Sequence, residues 1–413
     1  MIQDTSLRTS QDYIALEDQY GAHNYHPLPA VLERGEGVYL WDVEGNKYYD
    51  FLAAYSAVNQ GHCHPHILKA LHEQSQRLTL TSRAFHNNVL GPYEKFITNF
   101  FGYDRVLPMN TGVEAGETAV KLCRKWAYEI KGVPTNQAKI LFVTGNFWGR
   151  TLGAISSSTD PSSTGGFGPY MPGYEIIPYN NLNALEEALQ DENVAGFMVE
   201  PIQGEAGVVV PDEGYLRSAY EMCHQHNVLF IADEVQTGIA RTGKLLACEH
   251  EGFKPDILVL GKALSGGVMP VSAVLTSDEV MLTIKPGEHG STFGGNPLAC
   301  AVGMAALEVV RDEKLAENAE RLGQLFRDRM QKEVVEKHDL VTLVRGKGLL
   351  NAIVINDTQD SKTAWNLCLQ LKENGLLAKP THGNIIRFAP PLVMTEEQLH
   401  DCCDIIERTV REF

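Results

Sequence analysis

No apolar run in this chain approaches the roughly 20 residues that cross a bilayer as a helix, which argues against a membrane-spanning protein. Positive charge is also in short supply. Against 35 Lys and Arg stand 52 Asp and Glu, a formal net charge of -17, so neither nucleic acid nor an anionic membrane is expected as the main partner. A local basic pocket for a small anion is still compatible with that balance. Cysteine is sparse: 8 residues scattered over 413 make no disulfide framework and read as reduced thiols in a reducing compartment. Internal repeats, low-complexity tracts and long linkers are missing. The opening stretch, MIQDTSLRTSQDYIALEDQYG, contains acids and has neither an apolar h-region nor an Arg-rich amphipathic pattern. A cytoplasmic protein is expected, or a mitochondrial-matrix one if an organelle peptide has been removed.

What is present is an ordinary globular composition, 44% apolar and 21% charged, in a chain long enough for roughly two or three domains. Residues 1–57 read as an N-terminal segment with a hairpin, GVYLWDVEGNKYYDFL, turning at Glu44-Gly45-Asn46. Over residues 58–308 apolar runs alternate with amphipathic helical stretches. Lys139–Val143, Gly196–Pro201, Val228–Glu234 and Ile257–Lys262 are short, nearly all-apolar strands, the mark of a mostly parallel sheet covered on both faces in an α/β domain. One long helix is expected to start at Pro297 and run into a smaller α+β C-terminal domain, residues 309–413.

Ligands of such open sheets sit beyond the carboxyl ends of the strands. The polar residues ending these strands are Glu200, Asp233 with Glu234, and Lys262. A strand-end lysine alone is more often half of a structural ion pair, and an aspartate there often caps a following helix. Together they suit pyridoxal phosphate. A buried lysine amine loses its proton and condenses with an aldehyde, and a buried carboxylate keeps the pyridine nitrogen protonated. Gln236, three residues past Asp233, is placed to donate to the ring's phenolic oxygen. Asn110-Thr111-Gly112-Val113 opens a strongly periodic helix, whose free N–H groups and positive dipole end suit a phosphate; Glu114 and Glu117 are able to satisfy that end instead. Ser291-Thr292, in GEHGSTFGGNP, offers two hydroxyls for the same task.

LFIADEVQTGIARTGKLLACE followed by PDILVLGKALSGGVMPVSAV resembles the signature of the class III (subgroup II) aminotransferases of the type I pyridoxal phosphate fold. NYHPLPAVLERGEGVYLWDVEGNKYYDFLAAYSAVNQGHCHP, GNFWGRTLGAISSSTDP, VEPIQGEAGVVVP, HGSTFGGNPL and GLLAKPTHGNIIRFAPPL resemble its ornithine-using members, so the likeness covers nearly the whole chain. The resemblance implies the following roles. Lys262 is the Schiff-base lysine and proton shuttle, Asp233 pairs with the pyridinium, Gln236 contacts the ring oxygen and Phe147 stacks on the ring. Gly112 and Val113 bind phosphate through backbone N–H groups. Thr292 serves the cofactor of a neighbouring subunit, which implies a homodimer with shared active sites, higher assembly being open. Arg387 binds the carboxylate of glutamate, Glu205 neutralises Arg387 while ornithine is bound, and Arg150 takes ornithine's distal carboxylate. Tyr25 and Tyr55 flank the distal end, with Tyr25 near the α-amine. The expected activity moves the δ-amine of ornithine to 2-oxoglutarate by a ping-pong route. Without the resemblance, Glu205 reads as a surface-loop residue and Arg387 as a sheet-edge charge.

Rival readings are a transaminase for acetylornithine or 4-aminobutyrate, a pyridoxal-phosphate aminomutase, and a non-catalytic protein keeping the fold. A tyrosine at position 25 suits a free α-amine and would crowd an acylated one. Gly61-His62-Cys63-His64-Pro65-His66 resembles a metal site but is too crowded for zinc spacing and has no matching pair downstream, so no metal is expected. GNFWGRT has the wrong spacing for a P-loop, with Arg where Lys is needed.

Overall fold

The computed structural model describes residues 9–413. After the helix Ser10–Tyr20 comes a meander of β1 (Leu32–Glu36), β2 (Tyr39–Asp42) and β3 (Lys47–Asp50). The turn expected at Glu44-Gly45-Asn46 is made by Asp42, whose Oδ1 accepts from Glu44 N (3.1 Å) and Asn46 N (2.7 Å) while Gly45 takes φ +87°.

The central sheet is built from β4 (Arg105–Met109), β5 (Lys139–Val143), β6 (Tyr174–Ile177), β7 (Val194–Val199), β8 (Leu229–Asp233), β9 (Ile257–Leu260) and β10 (Ser272–Thr276). Its order is β4-β10-β9-β8-β7-β5-β6; the strands from β9 to β6 run parallel, and β10 is antiparallel to both β9 and β4. All four expected strands are present, and β7, β8 and β9 each end one or two residues earlier than read, because the polar side chains leave the ladder there. Three further strands, β4, β6 and β10, are additional to those expected: Pro108 lies within β4, which argues against a strand, but β4 is an edge strand and tolerates it. Residues of β7 and β8 are buried throughout, as a sheet covered on both faces requires.

The single helix expected from Pro297 is two. The first, Pro297–Asp312, stops at four exposed charged residues, Arg311 to Lys314, which interrupt the buried stripe; Lys314 takes φ +53° and a second helix runs Leu315–Met330. The rest of the chain forms β11 (Val341–Lys347), β12 (Leu350–Ile355), β13 (Leu376–Leu377), β14 (Lys379–Pro380), β15 (Ile385–Phe388) and the helix Glu396–Glu412. A third, antiparallel sheet has the order β11-β12-β15-β14, while β13 pairs parallel with β3. The first segment of the chain therefore shares a sheet with the last.

One side chain fastens these parts. Arg241 is fully buried; its Nη1 donates to the carbonyls of Leu349 (2.9 Å) and Pro390 (2.7 Å), and Nη2 to Asn59 Oδ1 (2.5 Å). Burial pulls its pKa down to about 9, which leaves it cationic at neutral pH. Close by, the helix Leu315–Met330 crosses the β11–β12 turn with no room for a side chain: a Cβ on Gly323 would lie 1.8 Å from the Gly348 carbonyl oxygen. Backbone cannot yield as a flexible side chain does, so Gly323→Ala is expected to cost roughly 2–3 kcal/mol; an unchanged thermal midpoint would show that the two elements part freely.

Candidate active site

A cleft of about 220 Å³ opens beyond the carboxyl ends of β7, β8 and β9, lined among others by Gly112, Val113, Phe147, Trp148, Glu200, Asp233, Gln236 and Lys262. Its floor follows from strand geometry. Successive side chains point to opposite faces, so Asp233 enters the cleft while Glu234 turns away to accept from Thr237 Oγ1 (2.5 Å) and Cys248 N (2.9 Å). Asp233 Oδ1 accepts from Val235 N (3.0 Å), and burial pushes its pKa up to about 6. Glu200 accepts from Phe147 N (3.0 Å); burial, reinforced by Asp233, pushes its carboxyl well above the ordinary range. Lys262 opens a short turn after β9 with φ +44°, a costly conformation for a side-chain-bearing residue. Burial lowers its pKa against the pull of Glu205, Asp233 and Glu200.

The wall is the N-terminal end of the helix Gly112–Trp126. Thr111 and Glu114 form a capping box, Glu114 Oε2 accepting from Thr111 N (2.8 Å), yet Gly112 and Val113 still line the cleft. The approach is tight: a Cβ on Gly112 would lie 2.9 Å from Val235 Cγ1, and one on Gly149 would lie 2.4 Å from Val113. Gln236 is buried against Gly204, where a Cβ would fall 1.9 Å from its Oε1. Lysine amine, buried carboxylate, flanking aromatic Phe147 and free helix-end N–H groups are the donor set that pyridoxal phosphate needs, so the residues fit this group.

Behind the cleft lies an ion pair between a buried arginine and a half-buried glutamate. Arg387, on β15 and 4% exposed, donates from Nη1 to Glu205 Oε1 (2.9 Å) and from Nη2 to Oε2 (3.3 Å). Burial pushes the Glu205 carboxyl up, but Arg387 outweighs it, helped by Lys262 and Gln236, and its pKa ends below the ordinary value. The guanidinium sits 4.8 Å from the centroid of Tyr55. Tyr55 reaches it from a left-handed turn, in which Ala53, Ala54, Tyr55 and Ser56 have φ of +46°, +47°, +59° and +71°. Tyr25 is 76% exposed yet acts electrostatically on the Tyr55 phenol, and its strap is held by His26 stacked on Trp365 at 4.2 Å. Arg150 Cζ lies 5.3 Å from the Phe147 centroid and Nη1 donates to Ser163 Oγ (2.9 Å). Ser291 Oγ accepts from Asn110 Nδ2 (2.8 Å), which ties its loop to the residues before Gly112, while Thr292 stands exposed.

Lys262, Asp233, Gln236, Phe147, Gly112 and Val113 thus meet in one cleft, and Glu205, Arg387 and Tyr55 cluster together. Trp148, Val235 and Gly204 went unread: Trp148 looks like any core aromatic and does stack on Phe142 at 5.6 Å, and nothing local marks a glycine whose duty is to make room for Gln236. The histidine run separates into three pairs, His62 with Asp50 (2.7 Å), His64 with Glu313 (2.9 Å) and His66 with Glu308 (2.8 Å); among the described residues no cluster could hold a metal.

A family model described as aminotransferase class-III matches residues 20–410. The chain is 64% identical over 405 residues to the mitochondrial ornithine aminotransferase of Rattus norvegicus, covering 98% of this chain and 91% of that one. With the solved ornithine aminotransferase of Toxoplasma gondii, in which pyridoxal phosphate partly occupies the active site, the TM-score is 0.97 at 53% identity, over 98% and 95% of the two chains. A solved protein of Elizabethkingia anophelis named as an acetylornithine aminotransferase is 64% identical with a TM-score of 0.91, over 98% and 100%.

The folded pKa of Asp233 lies above its ordinary 3.8. The group therefore favours the fold below about pH 4 and loses that advantage as pH rises through about 6. In cofactor-free protein, Asp233→Asn is expected to raise the thermal midpoint at pH 8 but not at pH 4, a difference of about 3 kcal/mol, while weakening cofactor retention. A variant less stable than the parent at pH 8 would mean that the carboxylate is not strained by burial.

Proposed function

Because this chain belongs to the class III aminotransferase family, we propose that it transfers the δ-amino group of L-ornithine to 2-oxoglutarate, giving glutamate 5-semialdehyde and glutamate. The observation that carries the substrate choice is the Arg387–Glu205 pair, whose arginine is buried. When bound, pyridoxal phosphate supplies the aldehyde that takes up the amino group and the ring that draws electrons from the neighbouring carbon. Lys262 holds the cofactor and takes the proton from Cδ of ornithine; its lowered pKa supports that task. Asp233 keeps the pyridine nitrogen protonated, Gln236 donates to the ring oxygen, Phe147 flanks the ring, and Gly112 and Val113 receive the phosphate.

Two substrates must present different amines to one reacting centre. Glutamate brings a carboxylate close to the ring, and Arg387 is placed to grip it as a fork. Ornithine brings an apolar chain to the same place, where a bare guanidinium would lose its partner, and Glu205 supplies that partner. Arg150 receives ornithine's distal carboxylate, with Tyr25 and Tyr55 flanking the distal end and Tyr25 near the α-amine. Thr292 and Ser291 serve the phosphate of a second subunit's cofactor in a homodimer; exposed Phe85, Phe167 and Phe293 support such a partner. The rat relative is named mitochondrial. Free cysteines suit the matrix as well as the cytoplasm, and among the described helices none is long and apolar enough to cross a membrane.

The similarity to the Elizabethkingia protein favours one second reading, acetylornithine as donor. The test follows the cofactor's absorption while ornithine, acetylornithine or 4-aminobutyrate is added without an oxo acid. Ornithine alone is expected to change the spectrum and yield the semialdehyde, and 2-oxoglutarate to restore it. A response to acetylornithine instead would overturn the roles given to Tyr25, Arg150 and Glu205 but not that of Lys262. In the same assay Lys262→Ala is expected to slow proton transfer by about a thousand-fold or more. Glu205→Ala unmasks Arg387 and is expected to shift reactivity from the δ- towards the α-amine by about ten-fold; unaltered regioselectivity would count against the mask.

A further inference from the structure

A second cation stands beside the Arg387–Glu205 pair. Lys379 on β14 lies directly opposite Arg387 in antiparallel register, so both side chains leave the sheet on the same face. The loop carrying Glu205 is pinned to the end of that strand, because Thr381 Oγ1 donates to the Glu205 carbonyl (2.7 Å). Arg345 holds the same loop from β11, with Nη2 2.7 Å and Nε 3.0 Å from the Gly207 carbonyl oxygen. Lys379 is half-buried and, among the described residues, has no ion pair of its own. Burial and the Arg387 charge both pull its pKa down, while Glu205 opposes them. Like charges directly across a ladder are unfavourable, and a half-buried amine gains nothing from the packing that an apolar side chain would not.

We propose that Lys379 is the counter-ion Glu205 turns to when a dicarboxylate substrate takes Arg387 from it, which makes Lys379 a positioning residue that sets specificity. The proposal rests on the reading of Glu205 as a removable mask. With ornithine in place Arg387 and Glu205 are paired, and Lys379 is the cation left over. With glutamate or 2-oxoglutarate in place the substrate carboxylate occupies Arg387, and a half-buried Glu205 without a partner would oppose binding. Lys379 turns this state into two matched pairs. Because the Glu205 loop and the lysine share one strand end, side-chain rotation suffices for the exchange. Gln236 also helps hold the Glu205 pKa down but brings no charge to balance it.

The test titrates the holoenzyme calorimetrically with glutarate, a dicarboxylate that cannot react, alongside steady-state kinetics. Lys379→Met is expected to weaken glutarate by about ten-fold and raise KM for 2-oxoglutarate by a similar factor, with kcat and the ornithine half-reaction unchanged. Lys379→Arg is expected to restore both. In a Glu205→Gln background, Lys379→Met should alter glutarate affinity by less than about two-fold, since coupled residues lose their effect together. A neutral Lys379→Met in the parent overturns the proposal, and so does an undiminished loss in the Glu205→Gln background, which would place the lysine on the substrate or in its long-range field. If Glu205→Gln alone leaves regioselectivity and glutarate affinity as they were, the mask reading fails and the proposal falls with it, a result distinct from the other two.

Discussion

The constraint on which the rest depends is the removal of charge from water at the ends of three parallel strands. β7, β8 and β9 deliver Glu200, Asp233 and Lys262 to one cleft, and burial acts on each against its charged form, raising the two carboxyls and lowering the amine. A core made this way would be poor if stability were its only purpose. It is well matched to a ligand that brings its own cationic nitrogen to one carboxylate and its own aldehyde to the amine. The surrounding structure compensates with fastenings placed just outside, of which Arg241 is the clearest: one guanidinium joins Asn59, Leu349 and Pro390. Pro390 follows Arg387 by three residues, so the segment carrying Arg387 is anchored to the segment that carries Asp233 and Gln236.

The substrate choice proposed above rests on a second group of charges, buried or half-buried and organised by a different sheet. Arg387 and Lys379 come from adjacent antiparallel strands, and Glu205 comes from the loop after β7. The cleft of Asp233 and Lys262 and the Arg387–Glu205 pair are thus built on separate scaffolds that meet across Gly204, whose missing side chain gives Gln236 its place. On the proposed reading, chemistry stays common to both half-reactions while the selecting charges rearrange.

Much of the cofactor cleft was legible because the signals were local. An apolar run ending in a lone polar residue gives both the strand and the side chain at its mouth, which served for Asp233 and Lys262. The Thr111–Glu114 capping box marks the start of its helix in the same way. What stayed hidden was contextual. The strand containing Pro108 is acceptable only at an edge, which depends on sheet order. The break at Lys314 depends on which faces of two helices find a core. Glu205 and Arg387 lie 182 positions apart, so without the family resemblance nothing in either neighbourhood announces a pair. Lys379 becomes interesting only once β-register sets it opposite Arg387.

The left-handed turn from Ala53 to Ser56 bears on attempts to redesign the surroundings of Arg387. Each L-residue held there forgoes about 1–2 kcal/mol, and that strain is what aims the Tyr55 ring at Arg387. Ala54 is exposed, so glycine at that position is the obvious stabilising change. It would also release the geometry that holds the ring on target. An engineer seeking a sturdier catalyst and one seeking a new donor will therefore want opposite things from the same short turn: the first is served by relaxing position 54, the second by keeping it taut and varying the side chain at 55.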